Sequence, residues 1–336
     1  MREFALIASL CALATGLTAL PSGAQSQKEA QQVATASDQL LNAIGKKRAG
    51  EYKAAKAILL EALSKAPNSA SLLDALGSVQ QDLGEYLEAE RSYLRALSAS
   101  AETEGDPERV AVLYNLATLY VDTGQYSKGE RVRKQLEDLR PETLDHHPAE
   151  AGALLNVIAS LERARNRDDE AERYYSRSLA LLRKAHGPVS VDAALVEASI
   201  GFLRLQAHQY EFAAALFREA IREVEIASGP ENPELIRTLL NLARCENMSG
   251  DPNQAEPVAR RAVELSVKVF GEGHPLTATA MLQQATALRR LGRKGVARDL
   301  EKRAKAWLRN NSRKNPTGYT VDVRELVSCH RNIWNK

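Results

Sequence analysis

Gly50-Glu51-Tyr52, followed by Ala55, returns as Gly84-Glu85-Tyr86 with Ala89 and again as Gly124-Gln125-Tyr126. Looser copies stand at Asn166, His208, Gly250 and Gly292. The first two steps are 34 and 40 residues, and the other four are each 42. A fixed period of this size means one supersecondary unit stacked many times, because a single copy cannot bury its apolar faces alone.

Within residues 70–103, Leu73, Leu76, Gly77 and Gln80 lie at helical spacing before Gly84 interrupts. Tyr86, Ala89, Tyr93, Ala96 and Leu97 then form the apolar stripe of a second helix. Two short helices joined by a tight turn make an antiparallel hairpin, with Tyr86 wedged between them. Small residues mark the close approach. They fall on Ala43, Gly77, Ala117, Ala159, Gly201, Ala243 and Ala285 in the first helices. In the second helices they fall on Ala55, Ala89, Ala171, Ala213, Ala255 and Ala297, with Gly129 in the third repeat.

This pattern resembles the tetratricopeptide repeat family. The first two repeats look like the 34-residue form, with Pro67 ending the first repeat's second helix. The later ones are similar to the 42-residue kinesin-light-chain-like form, whose connections often read Gly-x-x-His-Pro. Gly271-Glu272-Gly273-His274-Pro275 fits, Gly229-Pro230-Glu231-Asn232-Pro233 is a variant, and His186-Gly187-Pro188 is a weaker one. The resemblance implies an all-α, right-handed superhelical solenoid of about seven helix-turn-helix repeats over residues 36–308. Residues 25–35 form a linker or the start of the first helix, and 309–336 a basic tail.

Residues 1–24 read as a secretory signal peptide. Met1-Arg2 precedes an apolar run from Phe4 to Leu20, and Pro21-Ser22-Gly23-Ala24 supplies small residues for cleavage after Ala24. The alternative is an uncleaved N-terminal anchor; Ala8-Ser9-Leu10 before Cys11 does not fit a lipoprotein. The expected location is periplasmic or secreted, with no transmembrane segment after cleavage. The net charge of +2 argues against a dedicated nucleic-acid binder. It is unevenly spread. Residues 293–336 carry 12 Lys/Arg against 4 Asp/Glu, leaving the preceding repeats acidic. The tail is either a solvated cap or a contact for an anionic surface. Its Tyr319-Thr320-Val321-Asp322-Val323 alternates like a short strand, and Trp307 and Trp334 flank it. The strand needs a neighbour to stay ordered, so the tail either docks on the last repeat or hooks a partner. Export permits a Cys245–Cys329 disulfide, though Cys245 also reads as a buried apolar residue.

No Gly-x-Ser-x-Gly, His-Glu-x-x-His, phosphate-binding Gly-Lys-Ser/Thr or Gly-x-Gly-x-x-Gly is found in the sequence. His146-His147 beside Asp145 is too few convergent ligands for a metal site. The chain therefore reads as non-catalytic, with no cofactor and no metal.

The resemblance places ligands on first-helix residues that line the groove of the stack. Here these are Tyr114, Asn115, Thr118 and Asp122, then Asn156, Ser160 and Arg163, then Phe202. They continue with Asn241, Arg244 and Met248, and with Thr286, Arg289 and Arg290. Asn115, Asn156 and Asn241 offer donors and acceptors for an extended backbone. Arg163, Arg244 and Arg289 suit carboxylates, and Tyr114 and Phe202 suit apolar anchors. Ser71, Asp74, Ser78 and Asp82 form a small acidic patch in the second repeat, fitted to a basic peptide or to nothing. The expectation is a protein- or peptide-binding adaptor of the cell envelope. Its alternatives are a regulatory subunit of an envelope enzyme acting on cell wall or polysaccharide, and a glycan-binding protein. Leu116→Asp should lower the melting temperature severely by burying a charge between repeats, and Arg140→Ala should lower it little. Equal melting temperatures would contradict this map.

Overall fold

The repeated turns set the architecture. Gly50, Gly84, Gly124, Gly250 and Gly292 all have φ between 69° and 87°, and Asn166 and His208 take 58° and 60°. All seven positions picked out by the period therefore reverse the chain through the left-handed region. Asn tolerates that region better than most residues; His208 holds it with its Nδ1 2.6 Å from the Tyr210 hydroxyl.

The computed structural model describes residues 24–100, 107–137 and 148–312, all helical apart from turns and connections. In the first unit, residues 1–146, α1 (Ala24–Arg48) pairs with α2 (Tyr52–Lys65), α3 (Ala70–Asp82) with α4 (Tyr86–Ala99), and α5 (Pro107–Asp122) with α6 (Tyr126–Glu137). In the second unit, residues 147–336, α7 (Pro148–Ala164) pairs with α8 (Asp168–His186), and α9 (Val191–Gln206) with α10 (Tyr210–Ser228). Then α11 (Leu235–Ser249) pairs with α12 (Pro252–Phe270), and α13 (Pro275–Arg290) with α14 (Lys294–Ser312). Each unit is thus a stack of antiparallel hairpins in which successive elements pack on each other. The expected all-α repeat fold is observed, and no strand occurs among the described residues. The stretch 25–35 is helical. Residues 1–23, Arg140, His146, His147, Cys329 and the 319–323 run lie outside the described residues.

Close packing within hairpins explains the small residues. A Cβ on Gly77 would lie 2.7 Å from the Tyr93 ring, and one on Gly201 would lie 3.0 Å from Phe217. Ala159 and Tyr175 meet in one buried cluster. Ala55, Ala89, Ala171, Ala213, Ala255 and Ala297 are all fully buried. Leu116 is 1% exposed, as the Leu116→Asp expectation requires. Cys245 is fully buried, and burial pushes its thiol up to about 12, so it behaves as a small apolar residue.

Between hairpins of the second unit the period reappears at Gly187, Gly229 and Gly271. Each has φ between 81° and 87° with ψ near 180°, a region open essentially to glycine alone. His274 then caps α13. Its Nδ1 accepts from the Leu276 N–H at 3.3 Å and its ring stacks on Phe270 at 4.1 Å, while Pro275 occupies the first turn. The motif is structural, as its sequence suggested.

The second repeat differs from its expected exposed acidic patch. Ser71, Asp74, Ser78 and Asp82 are all buried, because α1 and α5 pack on either side of α3. Asp82 pairs with Lys47 of α1 at 3.3 Å. Asp74 accepts hydrogen bonds from Asn115 Nδ2 at 2.9 and 3.0 Å. Burial pushes the Asp74 carboxyl from an ordinary 3.8 up to about 7; the Asn115 bond and Lys47 oppose the rise, and Glu108 adds to it.

Two outcomes follow. Gly229→Ala should cost about 1–3 kcal/mol from backbone strain, although its Cβ would meet nothing within 4 Å. Gly45→Ala, in the exposed interior of α1 with equal space, should instead stabilise by about 0.5–1 kcal/mol. Denaturant midpoints of the two variants moving in the same direction would sink this account. For Asp74, the native state holds more protons than the unfolded chain between pH 4 and 7, so stability falls as pH rises through that window. Asp74→Asn should remove the fall, gaining on the order of 3 kcal/mol over wild type at pH 8 and little at pH 4. A pH-independent difference between the two proteins in urea titrations would refute it.

Candidate functional site

In the second unit the first helices α7, α9, α11 and α13 lie side by side, each touching the next. Helical spacing of three and four residues puts Asn241, Arg244 and Met248 on one stripe of α11. Asn241 and Arg244 are half-buried, and neither forms a hydrogen bond or ion pair with another described residue. The Arg244 Nε is sealed from water without an acceptor. Leaving a buried donor unpaired costs free energy, so this arginine stands out among the polar groups of the helix. Met248 lines an open hollow with His208, Tyr210, Phe212 and Ser249. Phe212 is 55% exposed there, with the Arg204 guanidinium 5.8 Å from its ring centre.

Neighbouring helices contribute more. Phe202 on α9 stands one repeat before Arg244, and the Arg163 guanidinium of α7 lies 4.7 Å from its ring centre. Arg163 Nη1 also donates to Gln206 Oε1 at 3.2 Å. Arg290 of α13 donates to the Asn247 carbonyl, and Thr286 to the Leu282 carbonyl at 2.9 Å. Arg289 turns away to pair with Glu301 of α14 at 2.6 Å. Asn156 is buried, and Ser160 donates to its carbonyl at 2.9 Å while lying 3.0 Å from the Tyr175 hydroxyl. Of the sequence candidates in this unit, Arg163 and Phe202 thus stack on each other, and Asn241, Arg244 and Met248 share one half-buried stripe of α11.

The candidates of the first unit have different surroundings. Tyr114 is 5% exposed, and Asn115 is 2% exposed with its amide on Asp74. Asp122 accepts from Gln81 Nε2 at 2.8 Å, and Thr118 donates to the Tyr114 carbonyl. Asn115 and Asp122 thus join α3 to α5, while the Thr118 bond stays within α5. The Asn115 amide faces a carboxylate of its own chain where the sequence suggested a peptide backbone. Glutamate–arginine pairs that sequence reading missed also knit successive elements, among them Arg204 with Glu172 and Arg218 with Glu246. Burial raises Glu246 above the ordinary carboxylate range, and the adjacent Arg218 holds it down. Among the described residues no group of three or more His, Cys, Asp or Glu is placed to hold a metal ion, and no helix is long and apolar enough to cross a membrane.

Comparison with solved structures finds BtubC (BKLC) from P. vanneervenii at TM-score 0.51 and 17% identity, covering 71% of this chain and 94% of that chain. This shows the fold alone. A putative kinesin light chain with nearly identical TPR-like repeats from Podosopora anserina matches at TM-score 0.46 and 19% identity, over 61% of this chain and 97% of its own. Among curated proteins, the clustered mitochondria protein homologs of Ajellomyces capsulatus and Emericella nidulans are each 28% identical, over 126 and 114 residues. Those segments cover 38% and 34% of this chain but only 10% and 9% of the relatives, so the chain spans about a tenth of their length. The tetratricopeptide repeat model matches residues 68–140, 150–222, 192–266 and 234–309, well over half of the chain. Repeats of this kind are scaffolds for protein–protein interaction. By that match the chain belongs to the tetratricopeptide repeat family.

Proposed function

We propose that the chain is a non-catalytic, exported adaptor that holds an extended peptide segment along the first-helix face of its second unit. The observation that carries this reading is the pair Asn241 and Arg244, half-buried side by side with no partner among the described residues. An amide that both donates and accepts suits a peptide backbone, which has unpaired groups of both kinds in extended form. Phe202 and Met248 add apolar surface next to it. Export rests on the sequence of residues 1–24, with its charged start, apolar run and small-residue end. An envelope or extracellular partner follows from that location.

The test expresses the full chain in its envelope context with a C-terminal tag, crosslinks, and identifies captured proteins by mass spectrometry. Phe202→Ala combined with Asn241→Ala serves as the control, checked for an unchanged melting temperature. We expect a recurrent partner that the double variant loses, and N-terminal sequencing of the recovered chain that begins at Gln25. A partner retained equally by the variant would move binding off this face. An N-terminus still at Met1 would overturn cleavage.

A further inference from the structure

One hairpin interior breaks the repeat. The position four residues before the small first-helix residue is leucine or methionine in every hairpin from the second to the seventh except the fifth, where it is Glu197. The position ten residues after the second-helix alanine is Leu181 in the fourth hairpin, Leu265 in the sixth and Trp307 in the seventh, but Glu223 in the fifth. In the sixth hairpin the two positions, Leu239 and Leu265, share one apolar cluster, and Met281 and Trp307 do so in the seventh. The fifth hairpin thus holds two glutamates where the next one holds a leucine pair, and both are buried, at 9% and 4% exposure. Carboxylates stabilise such a position less than leucines do, so the exchange is not made for the fold alone.

One arginine serves both glutamates. Arg183 of α8 reaches in from the fourth hairpin, pairs with Glu197 Oε1 and lies 3.8 Å from Glu223 Oε2. Glu223 Oε1 also accepts from the Ser190 N–H at 2.9 Å, just before α9. Glu197 Oε2 is sealed from water without a donor. The remaining charges that act on Glu197 are Glu219 and Arg222 of α10, which pair with each other. One guanidinium balances one carboxylate. The site is therefore neutral with a proton on the glutamate pair and holds an uncompensated buried negative charge without it. Burial accordingly raises Glu197 above its ordinary 4.5; Arg183 opposes the rise, and Glu223 and Glu219 add to it. The folded chain keeps a proton there that the unfolded chain gives up. The site's contribution to stability is full in acid and is lost as pH climbs from that ordinary value through the raised one. Its groups stand on both sides of the connection between two hairpins, so the loss falls on that junction. We infer that Arg183, Glu197 and Glu223 form a proton-operated fastener between the fourth and fifth hairpins, closed in mild acid and loosened toward neutral and alkaline pH.

The test is amide hydrogen exchange of the full chain, read by mass spectrometry in mild acid and in mild alkali and expressed as protection relative to an unstructured peptide at the same pH. The segment 187–198 reports the junction, and 229–240, the matching connection before the leucine-paired hairpin, is the internal control. His186 lies 3.6 Å from Asp192 across the same connection and forms an ion pair only when its ring is protonated, so every variant is also made with His186→Gln. We expect 187–198 to lose several-fold more protection than 229–240 on going from acid to alkali, with or without His186. Glu197→Gln, permanently neutral, should abolish that excess loss. Glu197→Leu with Glu223→Leu, which installs the interior of the sixth hairpin, should abolish it too and hold the segment closed at both pH values. Equal losses in the two segments overturn the inference, as does an excess loss that persists in Glu197→Gln. An excess loss that vanishes with His186→Gln alone assigns the effect to the His186–Asp192 pair and overturns it equally. Should the double leucine variant melt early, the isosteric Glu197→Gln decides the matter by itself.

Discussion

Every hairpin depends on how closely its two helices approach. In two hairpins an aromatic ring lies against a glycine of the facing helix, Tyr93 on Gly77 and Phe217 on Gly201, and in a third Tyr175 meets Ala159. The alanines of the second helices are completely buried, which shows how little room is left there. This approach fixes the rotation of each first helix about its axis. It therefore decides which side chains turn toward the neighbouring hairpin and which are left on the open face. The half-buried stripe of Asn241, Arg244 and Met248 is the residue of that geometry, since Ala243 and Cys245 on the same helix are the groups drawn into the core.

Both units draw amides inward between first helices, Asn115 onto Asp74 in the first and Asn247 onto Gln283 in the second, but they differ in where their charged groups lie. In the first, carboxylates and amides are drawn inward between first helices, where Asp74 meets Asn115 and Asp82 meets Lys47. Burying a carboxylate is unfavourable, and the raised proton affinity of Asp74 is the form that cost takes. In the second, first-helix arginines stay at least partly exposed, and Arg204 and Arg289 are neutralised by glutamates of neighbouring helices. The contrast arises although both units are built from the same hairpin.

The fold was legible in the sequence because its determinants are local and periodic. A left-handed turn needs a residue that tolerates it, a close crossing needs a small one, and both recur at the repeat interval. Even Asn166 and His208 could be placed by counting alone. The face was only partly legible. Asn115 and Asn241 read alike from their own helices, yet one is buried against Asp74 and the other is open. The difference lies in a helix 41 residues away in the chain. Likewise Arg163 and Arg289 carry the same charge at the same place in their repeats. Glu301 neutralises one and Phe202 stacks under the other, and neither contact has a signature in the surrounding residues.

The ring-over-glycine contact has a consequence for how such a chain can vary. Gly77 and Tyr93, like Gly201 and Phe217, are separated by the same interval and fit as convex and hollow surfaces. Enlarging the glycine alone produces a collision, and shrinking the ring alone leaves a void. The two positions therefore form a single heritable unit, and a repeat copied elsewhere in the stack carries its interior fit with it. The stack can lengthen by duplication without any hairpin having to learn a new core.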